Sequence, residues 1–348
     1  MKRRLLTMTL GAIPLLALTG LVTFDRIPGT SISLTVPYAA EGPGPIFNAL
    51  GQINGTDVVE INGIPLDKTT GELNMTTVSV RTGMTLAQVI SRWLIDGDTI
   101  VPIEHIFPQG SSEEEVQEAN QLAFSSSEAA ATIAALTYLG IDVGTEVVAL
   151  SQGSAAEEVL EIGDKIVAID GSTEVSPEKI KNHVGGKKPQ EKITLSIERK
   201  NQTRDVTLVL GENPQDKTKA FLGISMTAVP KDGISVDYHL EDIGGPSAGM
   251  IFSLTVIDKL SPGELTQGKK IAGTGTISED GTVGPIGGIN HKIEAAVNAG
   301  VEVFLAPQSN CASVKKRDDI TIVSVDNLGD AINKLSDYAQ GNKVATCY

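Results

Sequence analysis

Cysteine is scarce in this chain: Cys311 and Cys347 stand alone, and the four histidines, His105, His183, His239 and His291, lack metal-ligand spacing. With no Cys-x-x-Cys and no His-Glu-x-x-His, a zinc ribbon, a dithiol redox motif and a zinc peptidase are excluded, and no cofactor is expected. Basic residues are also short, 28 lysines and arginines against 43 acids, for a net charge of −15. A phosphate-binding surface needs the opposite balance, so nucleic acid is not an expected partner. Nucleotide is not expected either. Gly263-Glu264-Leu265-Thr266-Gln267-Gly268-Lys269-Lys270 approaches a P-loop. Lys270, however, replaces the hydroxyl residue that holds magnesium, and the stretch follows a helical pattern instead of a strand.

What the chain does have begins at its start. Met1-Lys2-Arg3-Arg4 precedes an apolar run from Leu5 to Phe24, long enough to span a bilayer as a helix. The positive charges flank its N-terminal side, which places that end in the cytoplasm and everything from Asp25 onward outside. A cleaved signal peptide is the competing reading, but no Ala-x-Ala site stands out and the run exceeds a usual signal core. The expectation is a single-pass membrane protein with a lipid-embedded anchor at 1–24 and extracytoplasmic domains after it. The length of 348 residues then allows two or three domains.

Residues 25–125 read as a strand-rich region with a helical lead-in. Ser31–Val36 alternates, Val58–Ile61 runs into Asn62-Gly63, and Thr76–Val80 is β-branched. Thr85 to Leu94, carrying Trp93, looks helical, as does Glu113 to Ala135.

The chemistry concentrates further on. Gly244-Gly245-Pro246-Ser247-Ala248-Gly249-Met250 puts a serine among small residues directly ahead of the apolar run Met250–Ile257, which reads as a buried helix. Backbone N–H groups at such a helix start, those of Ser247 and Ala248 among them, suit a developing oxyanion. Some forty residues later comes Pro285-Ile286-Gly287-Gly288-Ile289-Asn290-His291-Lys292. Ile289, Ile293, Ala296 and Val297 recur there at helical spacing, with Lys292 on the edge of the stripe. A lysine so placed is partly desolvated, which lowers its pKa and lets the neutral amine act as a base toward a serine hydroxyl.

Together these stretches resemble the proteolytic domain of the Lon family, a serine–lysine peptidase. The match comprises Gly245–Gly249, the Ala-Gly-Thr-Gly-Thr-Ile run at 272–277, and Pro285–Lys292, in the family's order and spacing. The resemblance implies Ser247 as nucleophile, Lys292 as general base and Thr274 as a hydroxyl orienting the lysine. Many Lon proteases have an acid two residues before the proline; here Gly244 stands there, with Asp242 a loose substitute. Since nothing can serve as an ATPase module, the implied activity is ATP-independent. Gly245–Gly249 also fits the Gly-x-Ser-x-Gly elbow of α/β-hydrolases, but no apolar strand precedes the serine, the only later histidine is His291 beside Lys292, and the stretch after Ser247 is too short for that fold.

Between the two regions, 126–211 resembles a PDZ domain. Gly163-Asp164 and Asp170-Gly171 sit where PDZ domains turn, Ser176–Val184 matches the groove helix, and Tyr138-Leu139-Gly140-Ile141 matches the carboxylate-binding loop. Such a loop holds a peptide's C-terminus while the peptide adds a strand to the sheet edge. A polar linker, Gly211–Lys217, then leads into an α/β catalytic domain at 218–345, opened by strands Leu222–Ala228 and Gly233–His239. The expected partners are peptide or protein substrates and the bilayer. A non-catalytic PDZ adaptor at the cell surface is the alternative function. Outside the membrane, Cys311 and Cys347 are expected to form a disulfide holding the C-terminal tail; two free thiols are the alternative.

Overall fold

The computed structural model describes residues 24–348 except 28, 109, 232, 241 and 242, together with 12, 19, 20 and 22. The expected anchor at 5–24 lies for the most part outside the described residues. Among the described residues, no helix is long and apolar enough to cross a membrane.

A six-stranded mixed sheet runs in the order Thr321–Val325, Val303–Pro307, Lys270–Gly273, Glu72–Arg81, Tyr38–Asn48, Thr99–Pro102. The first four strands pair in parallel and the last two antiparallel. Val303–Pro307, buried at every position, is the continuous apolar strand that a parallel sheet covered on both faces requires. Half of this sheet comes from 38–102, the region expected to stand apart. Tyr38–Asn48 pairs within this region, with Glu72–Arg81 and Thr99–Pro102, and Glu72–Arg81 finds its other partner some two hundred residues away, where Asn74 pairs with Ala272. Of the three strands only Glu72–Arg81 was legible, through Thr76–Val80; Tyr38–Asn48, which runs through Pro43 and Pro45, and Thr99–Pro102 were not, and the expected strand Ser31–Val36 forms only isolated bridges at Ser33 and Thr35.

The serine helix, Gly249–Leu260, is buried from Gly249 to Lys259 and forms the centre of the core. A helix apolar on all sides has to be enclosed on all sides. The 26-residue helix Glu113–Tyr138 covers one flank, with Phe124 edge-on to Phe252 at 5.7 Å, and Leu328–Ala339 packs against it as well. Two hydroxyls inside this apolar helix are satisfied by the preceding turn: Ser253 donates to Gly249 O and Thr255 to Ile251 O. The close approach of the long helix demands Gly249, since a Cβ there would lie 2.7 Å from Ser127 Oγ and 2.5 Å from Ile277 Cγ2.

One buried group is less well served. Asp258 accepts from Leu265 N through one carboxylate oxygen, while the other has no partner among the described residues. Burial, with Glu264 and Asp67 nearby, raises its pKa from an ordinary 3.8 to about 6. The unfolded chain therefore loses this proton first, so native stability falls as pH rises from 3.8 to about 6 and the loss is complete above that. Asp258→Asn keeps the acceptor for Leu265 and removes the charge. At pH 8 it should stabilise the fold by about 3 kcal/mol, with no gain at pH 3, as read by denaturant unfolding at both values.

The PDZ unit has its own core, built on Val147, Ile166, Ile169, Ile180, Ile193, Leu195 and Ile197. Its five strands run in the order Gln202–Val209, Lys192–Arg199, Lys165–Ile169, Val143–Leu150, Ile224–Pro230. Both ends of the expected 126–211 join neighbouring elements. Residues 126–138 are the second half of the long helix, packed on the serine helix. At the other end, the supposed linker is the turn of a small hairpin in which Gly211–Glu212 pairs with Ala220–Phe221. Ala220 and Leu222 belong to the PDZ core, so the strand expected to open the catalytic domain instead completes the PDZ sheet. The C-terminal tail lies along the outer catalytic strand, with Ser324 N donating to Ala345 O and Cys347 N to Ile322 O. There Cys347 is bonded to Cys311.

Candidate active site

The turn before the serine helix is held from two sides. From the long helix, Asn120 O accepts from Gly245 N at 2.8 Å and Ser127 Oγ donates to Pro246 O at 3.0 Å. From the sheet, Gly275 N and Thr274 Oγ1 both donate to Ser247 O, at 2.9 and 3.0 Å. Among the described residues, the N–H groups of Ser247 and Ala248 have no acceptor. They remain available to an anionic oxygen at the positive end of the helix.

The lysine helix, Ile289–Asn298, starts at Gly288, which is left-handed at φ +67° and sits where a Cβ would meet Val78 at 2.6 Å. Ahead of it, Asn310 clamps the loop by accepting from Ile286 N and donating to Ile286 O. One helical turn in, Lys292 is 3% exposed. Its Nζ lies 2.6 Å from Ser247 Oγ and 3.0 Å from Thr274 Oγ1. Among the described residues no carboxylate pairs with it, and burial lowers its pKa from an ordinary 10.5 to about 8. Asp242, the loose substitute for a family acid, lies outside the described residues.

The hydrogen-bond directions here are determined. The hydroxyl proton of fully buried Thr274 goes to Ser247 O, so its oxygen can only accept from Lys292. Protonated, Nζ donates to both Thr274 Oγ1 and Ser247 Oγ; once neutral, with one N–H held toward Thr274, it can turn its lone pair to the serine proton.

The dyad opens onto a cleft of about 610 Å³ walled by Phe47, Met75, Val78, Val80, Phe124 and Ile243. Asn120, Phe124 and Ser127 fall at i, i+4 and i+7 of the long helix and so share the face that meets the serine turn. Sequence reasoning had passed over them, although this spacing was there to find. A single helix thus both braces the catalytic loop and feeds directly into the PDZ unit.

In the PDZ unit the structure moves the expected loop. Tyr138–Ile141 is the end of the long helix and the turn after it, not part of a groove. The groove, again about 610 Å³, lies between the helix Pro177–Gly185 and Phe221-Leu222-Gly223-Ile224, with Ile180, Val184 and Met226 on its walls. The same tetrapeptide pattern, aromatic-Leu-Gly-Ile, occurs at both places in the sequence. What distinguishes them is that Ile224–Pro230 is an edge strand beside the groove helix. Gly223 is left-handed at φ +81°, and among the described residues the N–H groups of Leu222 and Gly223 have no acceptor.

A buried serine–lysine pair beside backbone donors at a helix start is the arrangement of a serine peptidase domain. Residues 188–336 match the family model of the Lon protease (S16) C-terminal proteolytic domain, and residues 124–210 that of the PDZ domain. The chain thus carries a Lon-type proteolytic domain together with a PDZ domain. It is similar to the archaeal Lon protease of Methanothermobacter thermautotrophicus, 32% identical over 133 residues, 35% of this chain and 20% of that protein. Lon protease 2 of Herpetosiphon aurantiacus is 29% identical over 147 residues, 37% and 18% of the two chains. The archaeal Lon protease of Pyrococcus abyssi is 33% identical over 137 residues, 36% and 14%. The chain therefore spans a fifth or less of the length of these relatives. Among solved structures, the PDZ domain of the SdrC-like protein of Listeria monocytogenes is 20% identical, covering 24% of this chain and 86% of that one, with a TM-score of 0.22.

Proposed function

We propose that this chain is an ATP-independent, membrane-anchored serine endopeptidase acting outside the cytoplasm, with Ser247 as nucleophile, Lys292 as its base and the PDZ groove as a capture site for substrate. The observation that carries the proposal is the burial of Lys292 Nζ, 2.6 Å from Ser247 Oγ with no carboxylate partner among the described residues. A lysine without a counter-ion in an apolar wall is costly as a structural element and useful as a base.

In this reading the neutral amine takes the serine proton as Oγ attacks the peptide carbonyl, and the N–H groups of Ser247 and Ala248 receive the oxyanion. Lys292, now protonated, gives its proton to the departing amine, leaving an acyl-enzyme. Water then attacks the acyl carbon while Lys292 again accepts the proton. The apolar walls of the cleft favour substrates presenting an apolar side chain at the cut. Capture in the PDZ groove would add an extended peptide along Ile224–Pro230, with its terminal carboxylate at the N–H groups of Leu222 and Gly223.

Incubation of the full chain and its Ser247→Ala form with an unfolded protein, with and without ATP, tests the proposal. Cleavage by the unaltered chain alone, indifferent to ATP, is expected. Equal cleavage by Ser247→Ala would remove Ser247 as the nucleophile, and none by either form would leave the peptide-binding adaptor as the better account.

A further inference from the structure

The helix Leu86–Ser91 and the turn that follows it, Arg92–Asp96, present their apolar side chains outward. Trp93, Leu94 and Ile95 are 62, 65 and 79% exposed, and Leu86 and Ile90 are each 44% exposed. Leu86, Ile90, Trp93 and Leu94 fall at i, i+4, i+7 and i+8 and so lie along one face. The inward face contributes a single buried residue, Val89, to a small cluster with Ala40 and Met84. A surface helix of a soluble domain has the reverse distribution. Contiguous exposed apolar surface of this kind marks an interaction site.

Position identifies the occupant. The apolar run Leu5–Phe24 ends beside this element. Leu34 N donates to Asp25 O, Thr35 forms a bridge with Thr85, and Val36 N donates to Met84 O. Thr85 is the residue that caps the exposed helix. Two apolar side chains of the intervening hairpin, Phe24 and Ile32, are themselves 53 and 56% exposed. A bilayer that takes up Leu5–Phe24 therefore has its surface at this patch. The charges of the element favour no anionic partner: its one basic residue, Arg92, is paired with both Asp96 and Asp98 at 3.3 and 3.5 Å, which leaves the group net negative and suits it to zwitterionic lipid. Exposed Trp, Leu and Ile beside a membrane entry point are the side chains of an interfacial anchor.

We propose that Leu86–Ile95 is a second membrane contact, inserted into the headgroup–acyl boundary beside the N-terminal anchor. The proposal rests on the membrane location given above. It has a consequence for the active site, because the strand Glu72–Arg81, whose Val78 and Val80 wall the cleft, runs directly into Met84 and Thr85. With the helix docked, the cleft is held close to the membrane surface, within reach of membrane-proximal stretches of other polypeptides.

The sequence supplies its own probe, since Trp93 is the only tryptophan. The full chain is reconstituted into zwitterionic vesicles whose lipids carry bromines at a shallow or a deep acyl position, and flotation and Trp93 emission are read on the same sample. An interfacial helix sits ~5–10 Å below the headgroups, so Trp93 should lose most of its emission to shallow bromines and less to deep ones. Leu94→Ser with Ile95→Ser should largely restore the emission while leaving the reporter in place. A chain that floats with the vesicles while Trp93 stays unquenched overturns the docking and leaves the anchor standing. Blue-shifted but unquenched emission likewise overturns it, in favour of a second copy or the Leu5–Phe24 run covering the patch. A chain that does not float overturns anchor and docking together.

Discussion

Replacing Lys292 with methionine should lower peptide hydrolysis by about 10²–10⁴-fold, the range associated with loss of a positioned general base, without weakening the fold. The two effects have one cause. A charged lysine buried without a counter-ion is what its lowered pKa, about 8, expresses. The sign follows from linkage. The unfolded chain holds this proton up to an ordinary 10.5, so the native state carries the full cost below about pH 8 and sheds it as pH rises toward 10.5. A methionine of similar shape removes that cost at neutral pH, at the loss of two hydrogen bonds. Lys292→Met should therefore unfold at the same denaturant concentration at pH 7 or a higher one while being nearly inactive. Lys292→Arg should also be inactive, because a guanidinium stays protonated and cannot accept the serine proton. Substantial activity in either variant would remove Lys292 from the mechanism.

Thr274→Val should reduce kcat by about 10–100-fold, less than loss of the base, because the base stays but is no longer aimed. The substitution conserves shape and deletes the hydroxyl that donates to Ser247 O and accepts from Lys292. Ser247 O keeps its bond from Gly275 N, so the serine turn should survive at a cost of about 1–2 kcal/mol. A second readout separates orientation from mere packing. An oxygen that accepts from the ammonium favours the charged form, so its removal should move the midpoint of the pH–rate curve to lower pH even as the rate falls. Thr274→Ser, which retains the hydroxyl, should restore both rate and midpoint. An unchanged midpoint in Thr274→Val, or no rescue by serine, would reduce Thr274 to a packing residue.

The parts of this account that could be read from the sequence are those governed by local pattern. The apolar stretch after Ser247 had to be a buried helix, and the stripe of Ile289, Ile293 and Ala296 put Lys292 at its edge. The structure places these residues on the two helix starts that meet at the site. What escaped depended on contacts between distant segments. Aromatic-Leu-Gly-Ile occurs twice, and only the pairing of Ile224–Pro230 with Val143–Leu150 brings the second copy, not the first, beside the groove helix. Asp258, in Ile257-Asp258-Lys259, reads as the polar end of a helix, yet the loop carrying Glu264 and Leu265 closes over it. In 38–102 the β-branched Thr76–Val80 marked one strand but not its distant partner Lys270–Gly273, and Pro43 and Pro45 hid the strand Tyr38–Asn48.

The most direct measurement is the rate at which a serine-directed phosphonate labels the full chain from pH 5 to 9, with the modified residue identified by peptide mass. A single adduct on Ser247 is expected, forming at a rate that rises with pH to a plateau with its midpoint near 8, where Lys292 loses its proton. A flat profile, or an adduct on another residue, would contradict it.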